Sequence, residues 1–253
     1  MHPTIYLAII IQSKIIKKVE IMSSIHSEIL DKARETFKSG DYANSLKNYE
    51  NFFEQTFNTS YYGVRLSYCL SEWKELANIY PDAMISLQSK RDEALQLLNK
   101  TKEPEQFHDY KAICEALDSP EKALKEFLRL HTKDRALSTK IIRFIWDELI
   151  EKEEWEICLE YLDNPLEKYE LYFDNFDAIF KKHVHDDSTA NDKEIFSHVL
   201  NWYIKEVTNI LLVLKHNHKI ADYSLIRKRI SSDLKSRGLS KVEVLIDRKL
   251  DNQ

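Results

Sequence analysis

Three glycines and five prolines are spread through 253 residues. Sheet proteins turn often, and their turns draw heavily on both residues. So sparse a supply favours long helices joined by short connections. Glu, Lys, Leu, Ile and Ala dominate the remainder, a composition that suits helices. With 43% hydrophobic residues, the chain can bury one sizeable core or the continuous core of an elongated repeat array. The 31% charged residues supply solvated faces opposite that core. A net charge of -5 argues against a general nucleic-acid binder. Cys69, Cys114 and Cys158 are odd in number, widely spaced and form no CxxC pair. A disulfide framework is not expected, and a reducing cytoplasm fits better.

At the N-terminus, Tyr6 to Ile11 is an apolar run too short to span a membrane. Lys14, Lys17 and Lys18 follow the run, where a signal peptide would place positive charge ahead of it. Residues 1–21 read as a loosely attached extension. Met22, followed by Ser23-Ser24, is a candidate start. The rival reading of this stretch is a short amphipathic helix on a membrane surface.

The clearest local pattern lies between Ile29 and Phe53. Ala33 and Phe37 share one helix face, Gly40-Asp41-Tyr42 forms a turn, and Leu46, Tyr49 and Phe53 recur at helical spacing. Gly40 can end a helix in the left-handed conformation, and Asp41 can cap the next one. Ala33, Gly40-Asp41-Tyr42, Ser45 and Tyr49 together resemble a tetratricopeptide repeat. Phe52 stands where that family prefers alanine, which implies atypical packing against the next hairpin. The resemblance implies stacked antiparallel hairpins whose first helices line a groove for a protein or peptide. On it, Arg34 and Lys38 occupy groove-facing positions, and Arg65 and Tyr68 extend the surface. The polar set of a complete carboxylate clamp is not present. The stretch Arg65 to Trp73, Tyr80-Pro81 and Phe107-His108-Asp109 also resemble uncharacterised bacterial repeat proteins, with no activity implied.

Further hairpins follow. Leu66, Cys69, Leu70, Trp73, Leu76 and Ala77 make one helical stripe; Ala83, Leu87, Ala94, Leu95 and Leu98 make the next, after a break at Pro81. Phe107, Tyr110, Ala112 and Ala116 precede a helix expected to be capped by Ser119 with Pro120 at its first position. Ile142 to Leu149 and Trp155 to Leu162 form another pair. Asn164-Pro165-Leu166-Glu167 opens an aromatic-rich helix with a capping pattern. A polar linker is expected over 183–192, then a long helix from Glu194 to Lys215. Two shorter helices separated by Gly238 close the chain, with Ser240 and Glu243 as a second capping pair.

Three constellations could carry chemistry. His183, His185 and Asp187 are weak metal-ligand candidates, because imidazole and carboxylate suit such ions but no further ligand set accompanies them. His216 and His218 are weaker still. The cysteines lie on apolar stripes and read as core. The third is charge segregation: from Asp147 to Asp187 there are 14 acids and 4 bases, and from Lys215 to Leu250 there are 10 bases and 4 acids. Arg227, Lys228, Arg229, Lys235 and Arg237 could face the acidic stretch, a second subunit, plain solvent, or nucleic acid. Only Tyr223 offers base stacking there, which weakens the last reading. No phosphate-cradling glycine loop, GxSxG, HExxH or CxxC…CxxC pattern occurs.

These readings converge on an all-α chain: an irregular tetratricopeptide-like superhelix of stacked antiparallel hairpins over 22–185, with a C-terminal helical cap over 190–253. The expected role is a non-catalytic, cytoplasmic adaptor or scaffold that binds a protein or peptide and needs no cofactor. No membrane span is expected. Self-association through the acidic and basic faces is open. The alternatives are a regulator touching nucleic acid through its basic C-terminal helices and a metal-dependent hydrolase using the His183 region.

Overall fold

The computed structural model describes residues 25–183 and 189–251, and no strand occurs among them. The described residues are all-helical, and the chain divides into two compact units, one ending at Phe144 and one beginning at Ile145. The sequence-based boundaries, 22–185 and 190–253, fall elsewhere. The extension over 1–21, Met22, His185 and Asp187 lie outside the described residues.

In the first unit, α1 covers residues 25–38 and α2 runs Tyr42–Gln55. Gly40 joins them at φ +81°, a backbone that favours glycine. Asp41 then caps α2 by accepting from the Asn44 backbone N–H at 3.3 Å. Where the two helices cross, the Ser45 hydroxyl donates to the Ala33 carbonyl at 2.9 Å, and both residues are fully buried. Only small side chains permit so close an approach. The third helix, α3, is continuous over 62–77 but not uniform: Tyr62–Val64, a π-helical turn at Arg65–Cys69, then Leu70–Ala77. Next come α4 (Pro81–Thr101), α5 (Pro104–Ala116), α6 (Glu121–Lys133) and α7 (Arg135–Ile141), the last extended by a 3₁₀ turn at Ile142–Phe144.

From α2 onward, each helix of this unit packs on the next. In addition α3 packs on α5, and α5 on α7. Polar bonds continue the rule: Arg34 of α1 reaches Glu72 of α3, Lys90 of α4 reaches Glu54 of α2, and Arg129 of α6 reaches Asn99 of α4. Phe52, Trp73, Leu87, Leu98, Phe107 and Phe127 are fully buried. Each such side chain contributes roughly 1.5–3 kcal/mol by leaving water. Phe52, bulky for its position, packs edge-on against Tyr61 with ring centroids 6.1 Å apart. Ser119 does not cap α6 as expected. Its hydroxyl donates back to the Cys114 carbonyl at 3.3 Å, closing the end of α5 instead.

The second unit comprises α8 (Trp146–Glu151), α9 (Trp155–Glu160), α10 (Pro165–His183), α11 (Ala190–His216), α12 (Ile220–Ser236) and α13 (Ser240–Asp251). Its centre is α11, which packs against α9, α10, α12 and α13. Every residue from Val207 to Leu214 is buried. Six of those eight residues are apolar, Thr208 and Asn209 being the exceptions, and a helix segment so largely apolar has to be enclosed in this way. Phe176 of α10 stacks on Tyr203 of α11 at 4.6 Å. Asn164 caps α10 by accepting from the Glu167 N–H at 3.3 Å. The start of α11 comes four residues before the expected Glu194, because Thr189 and Asp192 form a reciprocal capping box. No helix of the described residues is long and apolar enough to cross a membrane.

Candidate functional site

The π-helical turn of α3 places Arg65 at its first position, where the residue is 4% exposed. Its Nε donates to the Phe53 carbonyl at 2.6 Å. Nη2 donates to Asp109 Oδ2 at 2.7 Å and Nη1 donates to Asp109 Oδ1, giving a bidentate pair between α3 and α5. The guanidinium lies over the Phe53 ring, 3.5 Å from its centroid, with Phe57 and Tyr62 at 5.3 and 5.7 Å. Burial pushes the Asp109 carboxyl above its ordinary value, and the bond from Arg65 opposes that push. The Tyr62 hydroxyl sits 3.3 Å from the Glu105 carbonyl, 3.3 Å from His108 Nδ1 and 3.4 Å from Asp109 Oδ1. Burial, then Lys111, holds His108 below its ordinary value and favours the neutral ring, which stacks on Phe144 at 4.3 Å.

Beside this pair lies a cavity of about 160 Å³. Arg65, Asp109 and Gln106 line it together with Phe57, Leu97 and Ala94; Lys90, Glu54 and Glu93 also line it. The Lys90 ammonium donates to Glu54 at 2.7 Å and to Glu93 at 2.9 Å. The arrangement can hold a polar group against a fixed set of donors. Only part of it is legible in the sequence. The segments starting at Arg65 and ending at Asp109 were each distinctive, but nothing in them announced that they meet. A usable signal was present in α5: Gln106 and Asp109 share a helix face with the core residue Ile113.

The expected binding residues separate into two groups. Arg34 bonds Glu72 through Nε at 3.0 and 3.1 Å and through Nη2 at 2.7 Å, and Asp31 through Nη1 at 3.0 Å. The Glu72 bond raises the already high Arg34 pKa. Lys38 is exposed one turn further along α1. Tyr68 is 64% exposed one turn before Glu72 on α3. Arg65 does not share this open face; it is buried in its pair with Asp109.

In the second unit, three of the five basic candidates are engaged. Arg237 donates to Asp177 through Nη2 at 2.8 Å and through Nε, and this bond pushes the Asp177 carboxyl down to about 2. Arg229 pairs with Asp233 at 3.0 Å and approaches Glu170 at 3.8 Å. Arg227 pairs with Asp247 at 2.6 Å. Lys228 and Lys235 are exposed. Asp177 and Glu170 belong to the acidic stretch, so part of the charge segregation is neutralised inside this unit. His183 Nδ1 lies 2.6 Å from Asp192 Oδ1, and no group of three or more potential ligands is arranged for a metal ion among the described residues. All three cysteines are buried, and burial pushes their thiols up, Cys114 to about 11 and Cys158 to about 12. No family model matches this chain, and neither a curated protein nor a solved structure proves similar to it.

Proposed function

We propose that the chain is a non-catalytic adaptor that docks a protein or peptide on the α1–α3 face of its first unit. The reading treats the first unit as tetratricopeptide-like. It is supported by the Ala33–Ser45 crossing, the Gly40-Asp41 turn and the packing of odd-numbered helices on one another. The observation that carries it is the Arg34–Glu72 bridge. That bridge ties two helices together, and exposed Lys38 and Tyr68 each lie one turn from a bridge residue. Tyrosine supplies a large contact area at low entropic cost, and a flanking cation and carboxylate select the partner's charge. On this reading the protein works in the cytoplasm and needs no cofactor. Affinity capture from the native cell tests it. Wild type retains a specific partner, and the Lys38→Glu/Tyr68→Ala variant, with unchanged helical content, does not. Retention of every partner by that variant removes the proposal.

A further inference from the structure

The cavity beside Arg65 shares no lining residue with the ridge formed by Arg34, Lys38 and Tyr68, and its chemistry is distinct. We infer that it is a binding site for a neutral primary carboxamide of side-chain size.

Unspent hydrogen-bonding capacity carries the argument. A guanidinium has five N–H groups. Arg65 uses one on the Phe53 carbonyl and two on Asp109, which leaves one on each terminal nitrogen without a protein acceptor among the described residues. Gln106 is 8% exposed, and its amide, which is not among the buried polar atoms that lack a partner, reaches solvent at the cavity wall. Lys90 directs two of its three N–H groups to Glu54 and Glu93. An oxygen acceptor in the cavity satisfies several of these donors at once.

Charge decides what bears that oxygen. The lining holds two cations, Arg65 and Lys90, against three carboxylates, Asp109, Glu54 and Glu93. A carboxylate ligand would satisfy the donors but add a second uncompensated negative charge beside buried Asp109. An alkylammonium would suit Glu54 and Glu93, but having no acceptor it would leave the Arg65 and Gln106 donors without one. A carboxamide meets both demands. Its oxygen accepts from Arg65 and Gln106, and its NH₂ donates to the remaining carboxylate lone pairs. Phe57 and Leu97 supply the apolar wall for its stem. A cavity of about 160 Å³ admits a group the size of a glutamine side chain.

Butyramide, butyrate and n-butylammonium share a carbon stem and differ only in charge. Each is titrated into the full chain and followed by protein amide NMR shifts. Butyramide binds with a Kd on the order of millimolar, as suits so small a ligand, and shifts residues around Gln106. The two charged analogues bind at least about tenfold more weakly, and Gln106→Leu costs butyramide a similar factor while the other amide shifts stay in place. Acetyl-glutamine methylamide, run in parallel, identifies the source. Tighter binding than butyramide points to the glutamine of a protein segment, and weaker binding points to a free small amide. Absence of butyramide binding, equal or stronger binding of either charged analogue, or an unchanged Kd in Gln106→Leu overturns the inference.

Discussion

Arg65 and Asp109, 44 residues apart in sequence, form a bidentate ion pair in which each side chain is 4% exposed. Two buried charges are costly apart and tolerable together. Asp109→Ala therefore leaves an uncompensated guanidinium and destabilises the first unit by about 3–5 kcal/mol. Replacing both partners by apolar residues, as Arg65→Met/Asp109→Leu, recovers most of that loss. A deficit of about 1–2 kcal/mol remains from the bond to the Phe53 carbonyl. Urea unfolding of the two variants followed by circular dichroism checks this. A double variant no more stable than Asp109→Ala contradicts the pairing.

Asp177 and Arg237 give the second unit a dependence on acid. The folded-state pKa of Asp177 is held at about 2 by the bond from Arg237, below its ordinary value of 3.8. A depressed carboxylate contributes stability above its unfolded value and loses it as pH falls through the folded one. The contribution is complete above about pH 4 and fades towards about pH 2. Asp177→Asn lacks it at every pH. The stability difference between wild type and Asp177→Asn, measured by urea unfolding from pH 7 to pH 2, shrinks across that window. A difference that stays constant with pH refutes the assignment.

Cys69, Cys114 and Cys158 are buried with raised thiol pKa values, so thiolate at neutral pH is scarce and shielded. Ellman's reagent reacts slowly with the native chain and titrates all three thiols in denaturant. Rapid native reaction of any one of them shows that its helix opens readily.

What the sequence revealed was local. The Gly40-Asp41 turn and the Asn164 cap were readable because the residues that form them lie within four positions of each other. The stripe from Cys69 to Leu76 was readable because helical spacing alone dictates it. The early start of α11 was missed because Thr189 and Asp192 sit in a polar stretch that resembles a linker. Arg65 is buried where the repeat resemblance implies a binding surface, for another reason. A charged residue at a groove-facing position looks solvated until its partner is known, and Asp109 lies one hairpin further along the chain. The acidic and basic segments of the second unit were visible as opposites. That Arg237 selects Asp177 depends on how α10 and α12 pack.

On the proposed reading the α1–α3 ridge carries partner binding. Its most direct measurement is the Kd of the captured partner segment, by isothermal titration calorimetry, for wild type, Lys38→Glu/Tyr68→Ala and a remote control, Lys228→Glu. The double variant loses at least about tenfold, as expected when an interface anchor is removed, and the control is unchanged. Equal affinity for all three proteins, with helical content intact, contradicts it.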